Sequence, residues 1–518
     1  MKKRVYFNED GDHIYFTLLN MGKKDDVTEE ELRQYIRQYA NTSITDFLFC
    51  VNMTVSVPPS KVKTSLFERA YVTEERGINV DYTDTVAMVA HNIWIKHGID
   101  LFKIYIEELN KMGINPWMSF RMNDCHCLFN DAHYLVASEY YDNFDKHSRI
   151  RHREQSEYFD RCLDFEVDWV RKYTKDYIEE MLERYDTYGV EFDFQREFDC
   201  FGVGREDAAR DLMTDFVGEL KELVTKYEEK RGHKIHVAMH CHQSPEYCYE
   251  LGFDIVEMAK RGLMDVYIAS PRWLSADMDM PLNLWKQILE PYGVGVVGGI
   301  YENISNLEDR NSVFRSTYET ACALAGSVLS QEADVYLFNH FQYESLINPK
   351  IVTEVVKPEN GIFSGDGLSK FLNIAGNLDA ILQENRKCLV TPVDKAPLWR
   401  KNNCQLPISM GDSRKIAFLK ITTGKITEGR VVLNVGVSGD ICPQKDFEVY
   451  VNSTPVRFVK TKKCGQPMLT ENTIYEFEIE KTALSKHSQV AEFIVKDGIS
   501  VEIDYADIEV MVNEKVEH

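Results

Sequence analysis

The chain has 518 residues, more than one hydrophobic core ordinarily serves, so two or more domains are expected. Its hydrophobic fraction of 44% and charged fraction of 28% fit a globular protein, and 12% aromatic residues is somewhat rich. With 60 Lys and Arg against 83 Asp and Glu the net charge is −23, a field that repels phosphate backbones and anionic lipid and argues against nucleic acid as a partner.

The chain opens Met1-Lys2-Lys3-Arg4-Val5-Tyr6-Phe7-Asn8-Glu9-Asp10. The start is basic, but it turns acidic before any apolar stretch long enough for a leader, and no later run approaches a membrane span. A cytoplasmic location and no membrane partner are therefore expected, and homo-oligomerisation stays open. Residues 29 to 39 form an amphipathic stretch expected to precede the first strand. From about residue 45 to 385 one plan repeats: a short run of β-branched and aromatic residues, a polar turn, then apolar residues at helical period. Strands are expected from Asp46, Asn115, Gly189, Lys234, Asp265, Gly295 and Asp334. Another is expected around Tyr158 to Phe165, after an insertion at residues 124 to 157. Leu368 to Leu382 reads as the helix after the last strand. Eight such units suit a closed (β/α)8 barrel, and no Gly-x-Gly-x-x-Gly supports a dinucleotide-binding sheet. Beyond residue 391 helical periodicity gives way to alternating runs such as Ile416-Ala417-Phe418-Leu419-Lys420-Ile421, the pattern of an antiparallel sandwich. The expected fold is thus α/β: a TIM barrel with an N-terminal extension over 1–390 and an all-β sandwich accessory domain over 391–518.

In such a barrel the residues at the strand C-termini carry the chemistry. On the strand from Gly189, alternation sends Glu191 and Asp193 to one side and Phe192 and Phe194 to the other. Buried carboxylates need partners, and Arg121, Arg196 and Arg272 are the candidates. Glu191 reads as part of a structural ion-pair layer, and Asp193, nearer the strand end, as catalytic. Glu302 follows the glycine-rich strand from Gly295 and would face Asp193 across the mouth, with Glu197 as a competing partner. Two carboxyls flanking one bond are what glycoside hydrolysis needs: one protonates the leaving oxygen and the other attacks or activates water. A separation of about 5 to 5.5 Å implies retention and about 6.5 to 9.5 Å inversion, and which carboxyl is the acid stays open. Arg121, Asn123, Asp124, His126, Arg196, His240, His242, Arg272, Trp273, Tyr301, Asn339 and His340 make a candidate sugar-binding set at the strand ends.

The twelve cysteines include no Cys-x-x-Cys pair and read as free thiols. Neither Cys125-His126-Cys127 nor His240-Cys241-His242 has structural zinc spacing, and no cofactor or metal is expected. Two rival readings remain: a carbohydrate-binding barrel without catalysis, and a metal-dependent hydrolase using His240 and His242.

Three segments resemble bacterial glycoside hydrolase-like TIM barrels, the family 10 glycosylhydrolase-like proteins. Gly189-Val190-Glu191-Phe192-Asp193-Phe194-Gln195-Arg196 is similar to their strand signature Gly-x-Glu-Leu-Asp-Phe-x-Arg, with Phe192 in place of leucine. Residues 253–266 resemble the helix before their sixth strand, and residues 45–52 their first strand. The resemblance spans about residues 1 to 385. It implies the barrel and a carbohydrate substrate, and the tail resembles sandwich domains appended to glycosidases. In the largest related hydrolase clan the fourth strand ends in Asn-Glu. Phe192-Asp193 stands there in this chain, so those roles do not transfer directly.

Overall fold

A computed structural model describes residues 2–68, 82–125, 135–141, 161–195, 197–271, 276–301, 303–305, 313–315, 317–338, 367–391, 404–439, 441–463 and 473–512. Its first half is a closed barrel of eight parallel strands: β1 (Val5–Glu9), β2 (Asp46–Asn52), β3 (Asn115–Arg121), β4 (Gly189–Asp193), β5 (His236–His242), β6 (Val266–Ser270), β7 (Gly295–Ile300) and β10 (Asp334–Leu337). A short hairpin of β8 (Asn303–Ser305) and β9 (Val313–Arg315) follows β7. Runs such as Phe47-Leu48-Phe49-Cys50-Val51 are buried throughout, as strands covered on both faces must be.

One strand lies elsewhere than the sequence pattern suggests. The barrel closes through β1, which pairs with β10 (Phe7 opposite Leu337) and with β2 (Phe7 opposite Phe47). Residues 161–165 contribute no barrel strand, and β3 pairs directly with β4 from Trp117–Gly189 to Arg121–Asp193. The start of the chain is therefore the first βα unit rather than an extension. Its helix Glu29–Arg37 is set by a capping box in which Thr28 and Glu31 hold each other's backbone N–H.

At the barrel's N-terminal end Asp46 gathers Arg4 Nε at 2.9 Å, Trp117 Nε1 at 2.9 Å and Asn115 Nδ2 at 3.0 Å. The Trp117 indole fills the base because Gly189 leaves room for it: a Cβ there would lie 2.3 Å from the ring.

The second half is two antiparallel sheets. One has the order β11 (Arg386–Leu389), β20 (Val501–Met511), β14 (Arg430–Ser438), β18 (Thr473–Ile479), β17 (Arg457–Lys463), with β12 (Ile408–Met410) also on β20. The other runs β13 (Ile416–Thr422), β19 (Ser488–Val495), β15 (Phe447–Val451), β16 (Thr454–Pro455). Phe447 and Phe493 of the second sheet stack at 5.6 Å, and Phe447 reaches Phe477 of the first at 6.5 Å, so the sheets face each other as a sandwich. The sandwich is tied to the barrel by Lys420 Nζ on Asp279 at 2.6 Å and by Lys425 N donating to Ser330 Oγ at 2.9 Å. All ten described cysteines are free, and eight are buried.

Gly189→Ala is expected to displace the Trp117 ring and lower unfolding stability by about 1–3 kcal/mol in urea titration. An unchanged midpoint would contradict this account of the base.

Candidate active site at the barrel mouth

Alternation along the strands decides which side chains enter the barrel. Asn8 of β1 donates from Nδ2 to Ser119 Oγ of β3 and to Glu191 Oε2 of β4, each at 3.1 Å. Glu191 is fully buried, and its Oε1 lies 3.3 Å from His240 Nδ1 on β5. Asp193, one inward step nearer the mouth, brings Oδ1 within 3.1 Å of the same nitrogen. The Gln195 backbone N–H also donates to Asp193 Oδ1, at 3.0 Å, while Asp193 Oδ2 has no hydrogen-bond partner among the described residues. On its far side His240 Nε2 meets Ser270 Oγ of β6 at 2.7 Å. Ser270 can sit there because residue 299 is glycine: a Cβ would come within 1.6 Å of that hydroxyl.

Burial would push the His240 imidazole down, but the charges of Asp193 and then Glu191 outweigh it and raise its pKa to about 9. At neutral pH it is an imidazolium, with Nε2 on Ser270 and Nδ1 within ion-pair distance of Glu191 and Asp193. The Tyr336 ring lies 4.6 Å from it, and burial together with the Glu191 and Asp193 charges holds that phenol well above its usual range.

Arg121 does not serve Glu191 or Asp193 as a direct ion-pair partner. Its guanidinium is ion-paired with Asp10, just past β1, and with Asp124 at 3.1 Å, and among the described residues His240 is the cation beside the two acids. The Asn123 amide clasps a loop, accepting from Leu163 N at 2.7 Å and donating to Leu163 O at 3.3 Å. His242 accepts the Ser244 N–H at Nδ1 and packs between the rings of Phe198 and Tyr247. Tyr301 stacks on Phe338 at 4.7 Å and donates to Gln195 Oε1, and Gln195 Nε2 donates to the Pro271 carbonyl. Glu197 is buried in the loop after β4. Glu302, His126, Arg196, Arg272, Trp273, Asn339 and His340 lie outside the described residues.

Sequence reasoning missed Asn8 and Asp10, whose inward alternation was hidden once β1 was taken for a tail. It also missed Tyr336, whose β10 position faces the same cavity. Asp10, Asp12 and His13 bring ligand atoms within 4.8 Å of one another, a grouping that could hold a metal, although Arg121 already places a positive charge on Asp10. His240 has Nδ1 beside Glu191 and Asp193 and Nε2 on Ser270, contacts that a metal on this ring would have to displace. Among the described residues no helix is long and apolar enough to cross a membrane.

No protein-family model matches the chain, and no curated protein does. Several solved structures are similar to it. α-L-Fucosidase isoenzyme 2 from Paenibacillus thiaminolyticus is 10% identical over 65% of this chain, with a TM-score of 0.37, and the match spans 46% of that enzyme, under half its length. The PgaB (BpsB) glycoside hydrolase domain from Bordetella bronchiseptica is 12% identical over 67% of this chain and 95% of its own, with a TM-score of 0.41. The endo-1,4-beta-mannanase from Rhizomucor miehei is 11% identical over 74% of this chain and 96% of its own, with a TM-score of 0.40. Likenesses this distant carry no weight for the site, whose reading rests on the geometry above.

Because the folded His240 pKa is raised above its ordinary 6.5, its stabilising contribution is complete below pH 6.5 and is lost as pH rises through about 9. The expected loss across that window is on the order of a few kcal/mol. Melting temperatures from pH 6 to 10 should fall more steeply for the wild type than for His240→Gln; parallel curves would contradict the assignment.

Proposed function

We propose that the chain is a glycoside hydrolase working at the C-terminal end of the barrel, with Asp193 and Glu302 as its carboxyl pair. The observation that carries this reading is Asp193 itself. Its carboxylate is buried at the end of β4, fixed through Oδ1 by the Gln195 N–H and the His240 cation, with Oδ2 unpartnered among the described residues. Two carboxyls flanking the scissile bond divide the work, one protonating the leaving oxygen while the other attacks the sugar carbon or activates water. Glu302 is the second carboxyl beside Asp193, with Glu197 the alternative. Glu191, beneath Asp193, orients His240 and does not itself touch the sugar. Tyr301 and the other polar residues at the strand ends would hold the hydroxyls.

Asp193→Asn and Glu302→Gln are each expected to lower kcat by about 10²–10⁴-fold on the aryl glycoside that the wild type cleaves, found by screening both anomers. Glu197→Gln, assayed beside them, identifies the second carboxyl. Full activity in both Asp193→Asn and Glu302→Gln would overturn the proposal, and sugar binding without turnover by the wild type would select a non-catalytic binding barrel.

A further inference from the structure

A cleft of about 600 Å³ opens where the barrel meets the sandwich. His242, at the end of β5 and two positions past His240, lines it, so the cleft begins beside the barrel mouth. Its opposite wall comes from the sandwich, through Lys420 of β13 and His487 just before β19.

One group in its lining has hydrogen-bonding capacity that the described residues leave unused. Gln243 is only 8% exposed; its Nε2 donates to Asp277 Oδ2 at 2.7 Å, yet its Oε1 accepts from nothing among the described residues. A buried carbonyl without a donor is costly, so it favours a ligand that supplies one. Among the described lining residues the carboxylates of Glu246, Asp277 and Asp279 outnumber the ammonium of Lys420, which is itself paired with Asp279 at 2.6 Å. Burial lowers the His487 pKa, leaving that imidazole neutral at neutral pH. Such a lining welcomes hydroxyl donors and repels carboxylated or sulfated sugars.

Beyond the cleft the outer face of β13 continues the track. Ile416, Phe418 and Lys420 alternate outward, about 7 Å per step, and Phe418 is 59% exposed. An exposed ring beside a polar, donor-seeking cleft has the make-up of a sugar-stacking platform.

We propose that this cleft, with Phe418 at its outer end, binds further units of a neutral, hydroxyl-rich oligosaccharide whose reacting end lies in the barrel mouth. The assignment of the occupant rests on the glycosidase reading and deepens it: the substrate is an uncharged chain of several sugars, and the sandwich supplies part of its binding site.

The test is calorimetric titration of the full chain with cello-, manno-, xylo- and maltopentaose and with oligogalacturonate, each followed by chromatography for cleavage. At least one neutral pentaose is expected to bind at up to about 10 mM, and the acidic oligomer is not. Phe418→Ala and Gln243→Ala should each weaken that affinity roughly tenfold. Tyr292→Ala, which removes an exposed ring from the turn entering β7 at the opposite end of the barrel, should leave it unchanged. Melting curves check that each variant is folded, and Phe418, being exposed, gives a variant that does not depend on core packing. Absence of neutral binding, wild-type affinity in both cleft variants, or equal binding of the acidic oligomer would overturn the proposal. Binding lost in the variants with no cleavage by the wild type would sink the glycosidase reading alone, and cleavage with unaltered affinities would sink the cleft alone.

Discussion

The cation of His240 held between Asp193 and Glu191 is the contact on which the barrel interior is organised. Two carboxylates on one strand, both out of water, repel each other and lose hydration. An imidazolium on the neighbouring strand offsets both at once. Ser270 then fixes the ring from β6, the bare backbone at Gly299 on β7 makes space for Ser270, and Asn8 of β1 ties Glu191 to β3. Six strands thus meet around one charge cluster, with β7 contributing a gap rather than a side chain. Arg121 organises a second cluster beside it, through Asp10 and Asp124.

Much of this was legible because strand alternation is a strict rule. Glu191 and Asp193 had to share a face, and Phe194 had to leave it; Phe194 does pack outward, against Phe165 and Phe253. The number of barrel strands was legible too, but not the position of every one. Val5-Tyr6-Phe7-Asn8-Glu9 is short, half polar towards its end and preceded by basic residues, so pattern alone gives it little weight. Residues around Leu163 and Phe165 look like a strand because they are buried. Their burial comes instead from a loop clasped by Asn123 and from the packing of Phe165 on Phe194 and Phe216.

Ion-pair partners were the least legible feature. Sequence supplies a list of arginines, whereas pairing depends on which strand lies next door. The β4–β5 register sets Asp193 opposite His240 and Glu191 opposite Ala238, leaving the imidazole room to reach both acids. The two strands are consecutive in the barrel, and it is the register between them that decides which acids the imidazole reaches. The sandwich was easier: β13 alternates exposed and buried residues from Ile416 to Ile421, as a strand with one face in a core must.

The seat of β1 between β2 and β10 also shapes how the chain reaches its native form. Val5 finds its partner Val335 some 330 positions downstream. During synthesis the first strand emerges long before the one that seals its far side, and one edge stays open while the intervening units assemble. Ring closure is thus a late event with a large entropic search. Because Asn8 and Asp10 ride on that strand and its immediate extension, the pocket acquires its full set of inward-facing groups only when the last seam shuts.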